Sequence, residues 1–163
     1  MVVADSSVII HLARINRLDL LREFFKQIKI TPDVYDEVKE GAGASEIENA
    51  CKSWILLRKP KSHEAGNISM LEGIEKADAS IILLAKEDDD ILISNDYALI
   101  MVAKSKGIEC WWLTTFLLRC LGKKILTKKE AKQALFNLTA AGMRLNVAVY
   151  TAILKEIDDM QIR

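Results

Sequence analysis

The chain has 163 residues, half of them hydrophobic, and its 23 basic side chains balance its 23 acidic ones. This length suits one domain with a full hydrophobic core, and the neutral balance argues against a protein that coats nucleic acid by bulk attraction. Three cysteines with no closely spaced pair argue against a disulfide framework or a zinc site and predict a cytoplasmic protein. No apolar run approaches the roughly 18 residues of a membrane span, so no membrane association is expected.

Strand-like and helix-like stretches alternate along the chain. In chain order, the pattern predicts a strand at 2–4, a helix at 8–25, a strand at 27–30, helices at 32–39 and 44–52, a strand at 54–57, helices at 68–73 and 75–87, a strand at 91–93, a helix at 97–106, a strand at 108–113 and a helix at 115–121. Strands that alternate with helices indicate a parallel sheet with helices on both faces.

Two further helices follow this alternating pattern. Thr127 and Glu130 form a capping-box pattern that predicts a helix as far as residue 141, and another helix is predicted at 146–157. The sequence therefore predicts a single domain, 1–163, with an α/β core at about 1–122 and a helical addition at about 123–163.

Four carboxylates occupy unusual positions. Asp5 directly follows the first strand, and Asp96 ends the three polar residues that follow the strand at 91–93. Glu37 shares a helix face with an apolar residue, and Asp78 has apolar residues three, four and seven positions further along its helix.

The topology predicts that these acids meet. In a doubly wound sheet the carboxyl ends of the strands open onto one crevice, where Asp5 and Asp96 would lie and which Glu37 and Asp78 could flank. Several carboxylates in one crevice need a compensating cation, and ligands that are all oxygen select Mg²⁺ or Mn²⁺. An ion held in this way can activate a water molecule and stabilise the charge that builds on a phosphodiester.

Each acid also has a structural interpretation. Asp5 could be a turn residue, Asp96 a helix cap, Glu37 a solvated helix residue, and Asp78 a partner of the positive end of its helix. The acidic run 88–90 is interpreted as a solvated turn before a strand.

The order of these segments resembles the PIN-domain family, which includes the VapC-type toxin ribonucleases. The segments that carry the resemblance are VADSSVII (3–10), TPDVYDEV (31–38), DASIILLA (78–85) and ILISND (91–96), where Ser94 stands at a position at which threonine is common. The stretches 13–21 and 138–145 are similar to an uncharacterised prokaryotic branch of that family.

The resemblance implies a PIN-like three-layer α/β/α fold with a short central parallel sheet and two added C-terminal helices. It implies an Mg²⁺- or Mn²⁺-dependent endoribonuclease, often a homodimer, and the toxin of a toxin–antitoxin pair with an antitoxin protein as partner. The residues that would bind the metal and carry catalysis are Asp5, Glu37, Asp78 and Asp96, with Ser7 and Asn95 as auxiliaries.

One departure leaves an alternative function open. Many relatives in this branch have two aspartates where this chain has Asn95-Asp96, and asparagine brings one less negative charge to a metal. The alternative is a catalytically weak PIN module that binds RNA or a protein partner. A DNA flap nuclease is a further alternative, but this chain is too short to show the arch region of that group.

Three surface features remain open between RNA binding and a structural role. The basic clusters are Arg58, Lys59 and Lys61, and then Lys123, Lys124, Lys128, Lys129 and Lys132. Either could contact phosphates or form a solvated face. The adjacent tryptophans at 111–112 could stack on bases, but their position favours a core strand. The prokaryotic branch that this chain resembles tends to have Gly-Thr after this strand, whereas this chain has Trp-Leu-Thr-Thr at 112–115.

Overall fold

Five short parallel strands form the centre of the computed structural model, which describes residues 1–41 and 43–161. They are β1 (Val2–Ala4), β2 (Ile28–Ile30), β3 (Ile55–Leu57), β4 (Ile91–Ser94) and β5 (Cys110–Trp112). Their order across the sheet is β3-β2-β1-β4-β5, and every neighbouring pair is parallel. The sheet interior is apolar because helices cover both of its faces.

Ten helices are present in the described part of the chain. They are α1 (Ser6–Arg14), α2 (Asp19–Phe25), α3 (Pro32–Val38), α4 (Ala44–Cys51), α5 (Ala65–Glu72), α6 (Lys76–Glu87), α7 (Tyr97–Ser105), α8 (Leu113–Gly122), α9 (Lys128–Ala140) and α10 (Val147–Asp159). The expected three-layer α/β/α architecture with two C-terminal helices is confirmed.

The single helix expected at 8–25 is wrong, because the chain turns between α1 and α2. Asn16 adopts a left-handed backbone conformation with φ of 54°, which asparagine tolerates better than most residues. The amide of Arg17 then donates to the carbonyl of Leu12 at 2.9 Å, which closes the end of α1. The apolar periodicity continues across the break because both helices bury a face against the same core.

Two other boundaries differ from the expectation. Helix α5 begins at Ala65, inside the segment expected to connect β3 to the next helix, and α8 begins at Leu113, directly after a β5 shorter than expected. The capping box before α9 is confirmed: the Thr127 hydroxyl accepts from the Glu130 amide at 3.2 Å, and the Glu130 carboxylate accepts from the Thr127 amide at 2.8 Å.

The interpretation of 88–90 as a solvated turn is wrong for Asp90, which is buried. The ammonium of Lys29, a buried residue of β2, lies 2.6 Å from a carboxylate oxygen of Asp88 and 2.6 Å from one of Asp90. The second oxygen of Asp90 pairs with the amino group of Met1 at 3.0 Å. A buried lysine needs a counter-charge, and Asp90 supplies it at the edge of the sheet where β1 and β4 begin.

Candidate active site

A cleft of about 430 Å³ lies at the edge of the sheet where the strands end. The four acids predicted to share one crevice all line it. The complete lining is Asp5, Ser6, Ser7, Glu37, Gly73, Ile74, Glu75, Asp78, Asp96 and Ala98. These residues come from the ends of β1 and β4 and from helices α1, α3, α6 and α7 with the turns beside them, so the fold brings together side chains far apart in the sequence.

Asp5 is the buried member of the group and has three hydrogen-bond donors. Its Oδ1 accepts from the Val8 amide at 3.1 Å, which caps α1, and from the Ser7 hydroxyl at 2.7 Å. Its Oδ2 accepts from the Ser94 hydroxyl. Burial raises the pKa of Asp5, and the charge of Asp96 adds to that increase, while the three donors act to lower it.

The two serines connect Asp5 to the turn between β4 and α7. The Ser7 hydroxyl accepts from the Asn95 amide at 3.1 Å, and the Ser94 hydroxyl accepts from the Asp96 amide at 2.9 Å. A hydroxyl has only one proton, and in both serines it points to Asp5. Each serine thus links a backbone amide to the carboxylate, which fixes the position of Asp5.

Asp78 lies in the first turn of α6 and is half-buried. Burial raises its pKa to about 6, and the negative charges of Asp96, Glu75 and Asp5 contribute to the increase. The Glu75 amide offsets part of it by hydrogen bonding. The contribution of these neighbouring charges to the pKa of Asp78 shows that the acids of the cleft repel one another.

Asp96 and Glu37 are the exposed members of the group. Oδ1 of Asp96 accepts from the Leu99 amide at 2.8 Å, so Asp96 caps α7. Glu37 lies in the last turn of α3, and Val34, one turn earlier on the same face, is buried. The structural interpretations of Asp96 as a cap and Glu37 as a solvated residue are therefore correct, and both side chains line the cleft as well.

The donor set fits a hard divalent cation in type and in charge. All the available ligands are carboxylate or hydroxyl oxygens, and a cation would relieve the repulsion that raises the pKa of Asp78. Within 1–41 and 43–161, however, no three acidic, histidine or cysteine side chains converge closely enough to hold one ion as they stand. Binding would require side-chain movement, for which the exposed Glu37 and Asp96 have room.

The comparisons with known proteins agree with this architecture. The family model DUF3368, described as a PIN domain, matches residues 1–159. The chain belongs to the PIN-domain family. The crystal structure of PAE2754 from Pyrobaculum aerophilum is similar, with a TM-score of 0.55 and 19% sequence identity over 72% of this chain and 93% of that chain. That similarity shows the fold alone, and no curated protein matches this chain.

The two residues expected to assist the acids of this PIN domain, Ser7 and Asn95, differ in their position relative to the cleft. Ser7 lines the cleft, whereas Asn95 is half-buried beside it and reaches the site through its backbone amide. Sequence reasoning assigned no role to Ser94, although the resemblance includes it, and did not identify Glu75. The position of Glu75 directly before α6, three residues before Asp78, is the signal that could have found it.

Basic and aromatic residues lie on opposite sides of the PIN cleft. Arg58 and Lys59 follow β3 at one side of the sheet and are exposed, and Trp112 ends β5 at the other side. In the second basic cluster, Lys128 binds the backbone carbonyl of Asp158 at 2.6 Å and Lys132 pairs with its carboxylate at 2.5 Å. The described helices include none that is both long enough and apolar enough to cross a membrane.

Proposed function

We propose that this PIN domain is a divalent-metal-dependent endoribonuclease that hydrolyses RNA phosphodiester bonds with Mg²⁺ or Mn²⁺. The observation that supports the proposal is the meeting of Asp5, Glu37, Asp78 and Asp96 in one cleft at the carboxyl ends of the strands. Ligand sites of open parallel sheets form at this edge. The oxygen-only donor set suits these two ions better than zinc.

The acids of the cleft would have different roles in metal binding. Asp5, fixed by three donors, would be the ligand that needs no rearrangement, and the exposed Glu37 and Asp96 would move to complete the site. A bound divalent ion would lower the pKa of an attacking water and offset charge on the phosphate. Asp78 must lose its proton to ligate, and since its pKa is about 6, activity should fall as the pH drops through that value.

RNA is the proposed substrate because exposed cations follow β3, two strands from the strand that carries Asp5, although the whole chain has no net charge. Arg58 and Lys59 are exposed at the same edge of the sheet as Asp5, where they would hold the phosphates that flank the scissile bond. The acids and the cations would then contact different phosphates of one strand.

The biological role that we propose is the toxin component of a toxin–antitoxin pair, acting in the cytoplasm as a homodimer with an antitoxin protein as partner. The support is the resemblance to VapC-type toxins. A short reading frame beside the gene, whose product copurifies with this protein and inhibits its cleavage of RNA, would support this role.

A catalytically weak PIN module that binds RNA or a protein is the second candidate. The observation in its favour is that, within the described residues, no three acids lie close enough together to hold one ion, and that position 95 is asparagine rather than aspartate. RNA binding without cleavage in the presence of Mn²⁺ would identify this function.

The experiment is cleavage of single-stranded RNA by the purified protein with Mn²⁺ or Mg²⁺, with and without a chelator. The proposal predicts cleavage that stops with the chelator and in Asp5→Asn. The matched control is Asp33→Asn, an exposed acid in the first turn of α3 that does not line the cleft, and it should retain activity. Activity that survives both the chelator and Asp5→Asn would contradict the proposal.

A further inference from the structure

The two adjacent tryptophans of β5 have different environments. Trp111 is a core residue: its ring meets Phe24 edge-on at 5.9 Å between centroids, and the guanidinium of Arg119 lies 4.0 Å from its ring centroid. Trp112 points to the other face of the sheet, as alternate strand residues do, and is half-buried. Its ring stacks with that of Tyr97, with 6.4 Å between centroids and 26° between planes.

Tyr97 is an exposed aromatic residue that the packing of the core does not explain. It is the first residue of α7, and 68% of its surface is accessible to water. Trp112 is the aromatic neighbour of the Tyr97 ring, and most of the Tyr97 surface stays open to a ligand. The contact with Trp112 restricts the ring, which lowers the entropy that a ligand would lose on stacking against it.

The aromatic pair lies beside the acidic cleft, although neither ring lines it. Ser94 pairs with Trp112 across β4 and β5, and the Ser94 hydroxyl donates to Asp5 on the next strand. Trp112 therefore lies two strand spacings, about 10 Å, from the strand that carries Asp5. Tyr97 lies between Asp96 and Ala98 in the sequence, and both of these residues line the cleft.

We propose that Tyr97, supported by Trp112, is a stacking platform for one unpaired nucleobase of an RNA strand whose phosphate lies in the acidic cleft. The inference rests on the proposed function and adds to it a binding site for one nucleobase outside the cleft. Every base has an aromatic face, so an exposed ring binds bases with little sequence preference. A base inside a duplex has both faces covered by its neighbours, so the platform selects single strands.

The test measures binding of a labelled single-stranded RNA oligonucleotide by fluorescence anisotropy, with Ca²⁺ in place of Mn²⁺. Tyr97→Ala should weaken binding by about 10- to 100-fold, the range expected for loss of one base–aromatic stack. Tyr97→Phe keeps the ring and should bind within about 3-fold of the original protein. Phe136→Ala, which removes another exposed aromatic ring, 57% accessible, from α9, is the matched control and should have no effect on RNA binding.

A second measurement separates stacking from a general loss of structure. A single abasic nucleotide is moved along the oligonucleotide, and one position should weaken binding to the original protein. The same abasic position should cause no further loss in Tyr97→Ala, because the two changes remove the same contact. Equal losses in both proteins at every position would overturn the platform.

The remaining outcomes distinguish this inference from the proposed function. If the original protein binds and cleaves RNA and Tyr97→Ala does so equally well, the platform is wrong and the exposed pair serves another partner, such as a protein. If binding depends on Tyr97 but no cleavage occurs with Mn²⁺, the platform is supported and the endonuclease is not. If the original protein binds no RNA, both proposals are overturned.

Discussion

Replacing Asp78 by asparagine removes one charge from the acidic cleft while keeping the shape of the side chain. Its pKa rises from 3.8 to about 6 in the folded protein, and two pKa units correspond to about 3 kcal/mol at full weight. Asp78 is only half-buried, so solvent screening reduces this to about 1–1.5 kcal/mol. Loss of an acidic residue from the first turn of a helix costs about 0.3–1 kcal/mol. We therefore expect the stability of Asp78→Asn near pH 8 without metal to be unchanged or higher by up to about 1 kcal/mol.

The gain should depend on pH in a defined direction. Between pH 3.8 and about 6 the folded carboxyl of Asp78 holds a proton that the unfolded chain releases. The stability that Asp78 gives the original protein is therefore fully present below pH 3.8 and falls as the pH rises through about 6. The advantage of the asparagine variant should grow over this window and stay constant above it.

Urea and thermal melts of both proteins from about pH 4 to about pH 8 measure this difference. For a chain of this size, 1 kcal/mol corresponds to about 2–4 °C in Tm. Adding Mn²⁺ should stabilise the original protein by mass action, by about 2.7 kcal/mol at 100 times the Kd, and the variant much less. Asp33→Asn is the control for loss of an acid at a helix start, and it should respond to Mn²⁺ as the original does. A variant that is less stable at every pH, with an unchanged response to Mn²⁺, would refute the role of Asp78 as a ligand.

Three further predictions concern the support of the site, the opposite edge of the sheet and the assembly. Ser94→Ala removes a buried hydroxyl that donates to Asp5 and accepts from the Asp96 amide, so we expect the free energy of unfolding to fall by about 1.5–3 kcal/mol in urea melts, and an unchanged value would contradict the bridge. Lys29→Met leaves the buried Asp90 with only the Met1 amino group and should cost about 2–4 kcal/mol, whereas Lys52→Met, which breaks the exposed pair with Glu48, should leave the urea midpoint nearly unchanged. Light scattering at tens of micromolar should give twice the 18.3 kDa of one chain, since apolar side chains such as Val147 remain exposed on the C-terminal helices, and a monomer would contradict the dimer.

The alternation of strands and helices was predictable because each element has a strong local signal. The run 91–93 is apolar and short, and Thr127 with Glu130 is a local capping pattern, so both signals depend on neighbouring residues alone. The break at Asn16 was not predictable in this way, because the apolar residues of α1 and α2 keep one periodicity across it. The turn at 15–18, which contains the left-handed Asn16, separates the two helices.

That the four acids share one cleft could be predicted from the topology, but the burial and hydrogen-bond partners of each acid could not. The rule that parallel strands end at one edge places Asp5 beside Asp96 without any knowledge of side chains. The bridging role of Ser94 depends on a contact 89 positions away in the sequence, which no local pattern contains. Asp90 was misjudged for the same reason, since Lys29, which neutralises it, is 61 positions away.

Binding of Mn²⁺ to the metal-free protein, followed by the electron paramagnetic resonance signal of the free ion, tests most directly whether this cleft is a metal centre. We predict saturable binding that is lost or strongly weakened in Asp5→Asn and Asp78→Asn and retained in Asp33→Asn. Binding should also weaken as the pH falls through about 6, where Asp78 takes up its proton. Binding of equal strength in all four proteins, or none in the original, would contradict the assignment of the acidic cleft as the metal site.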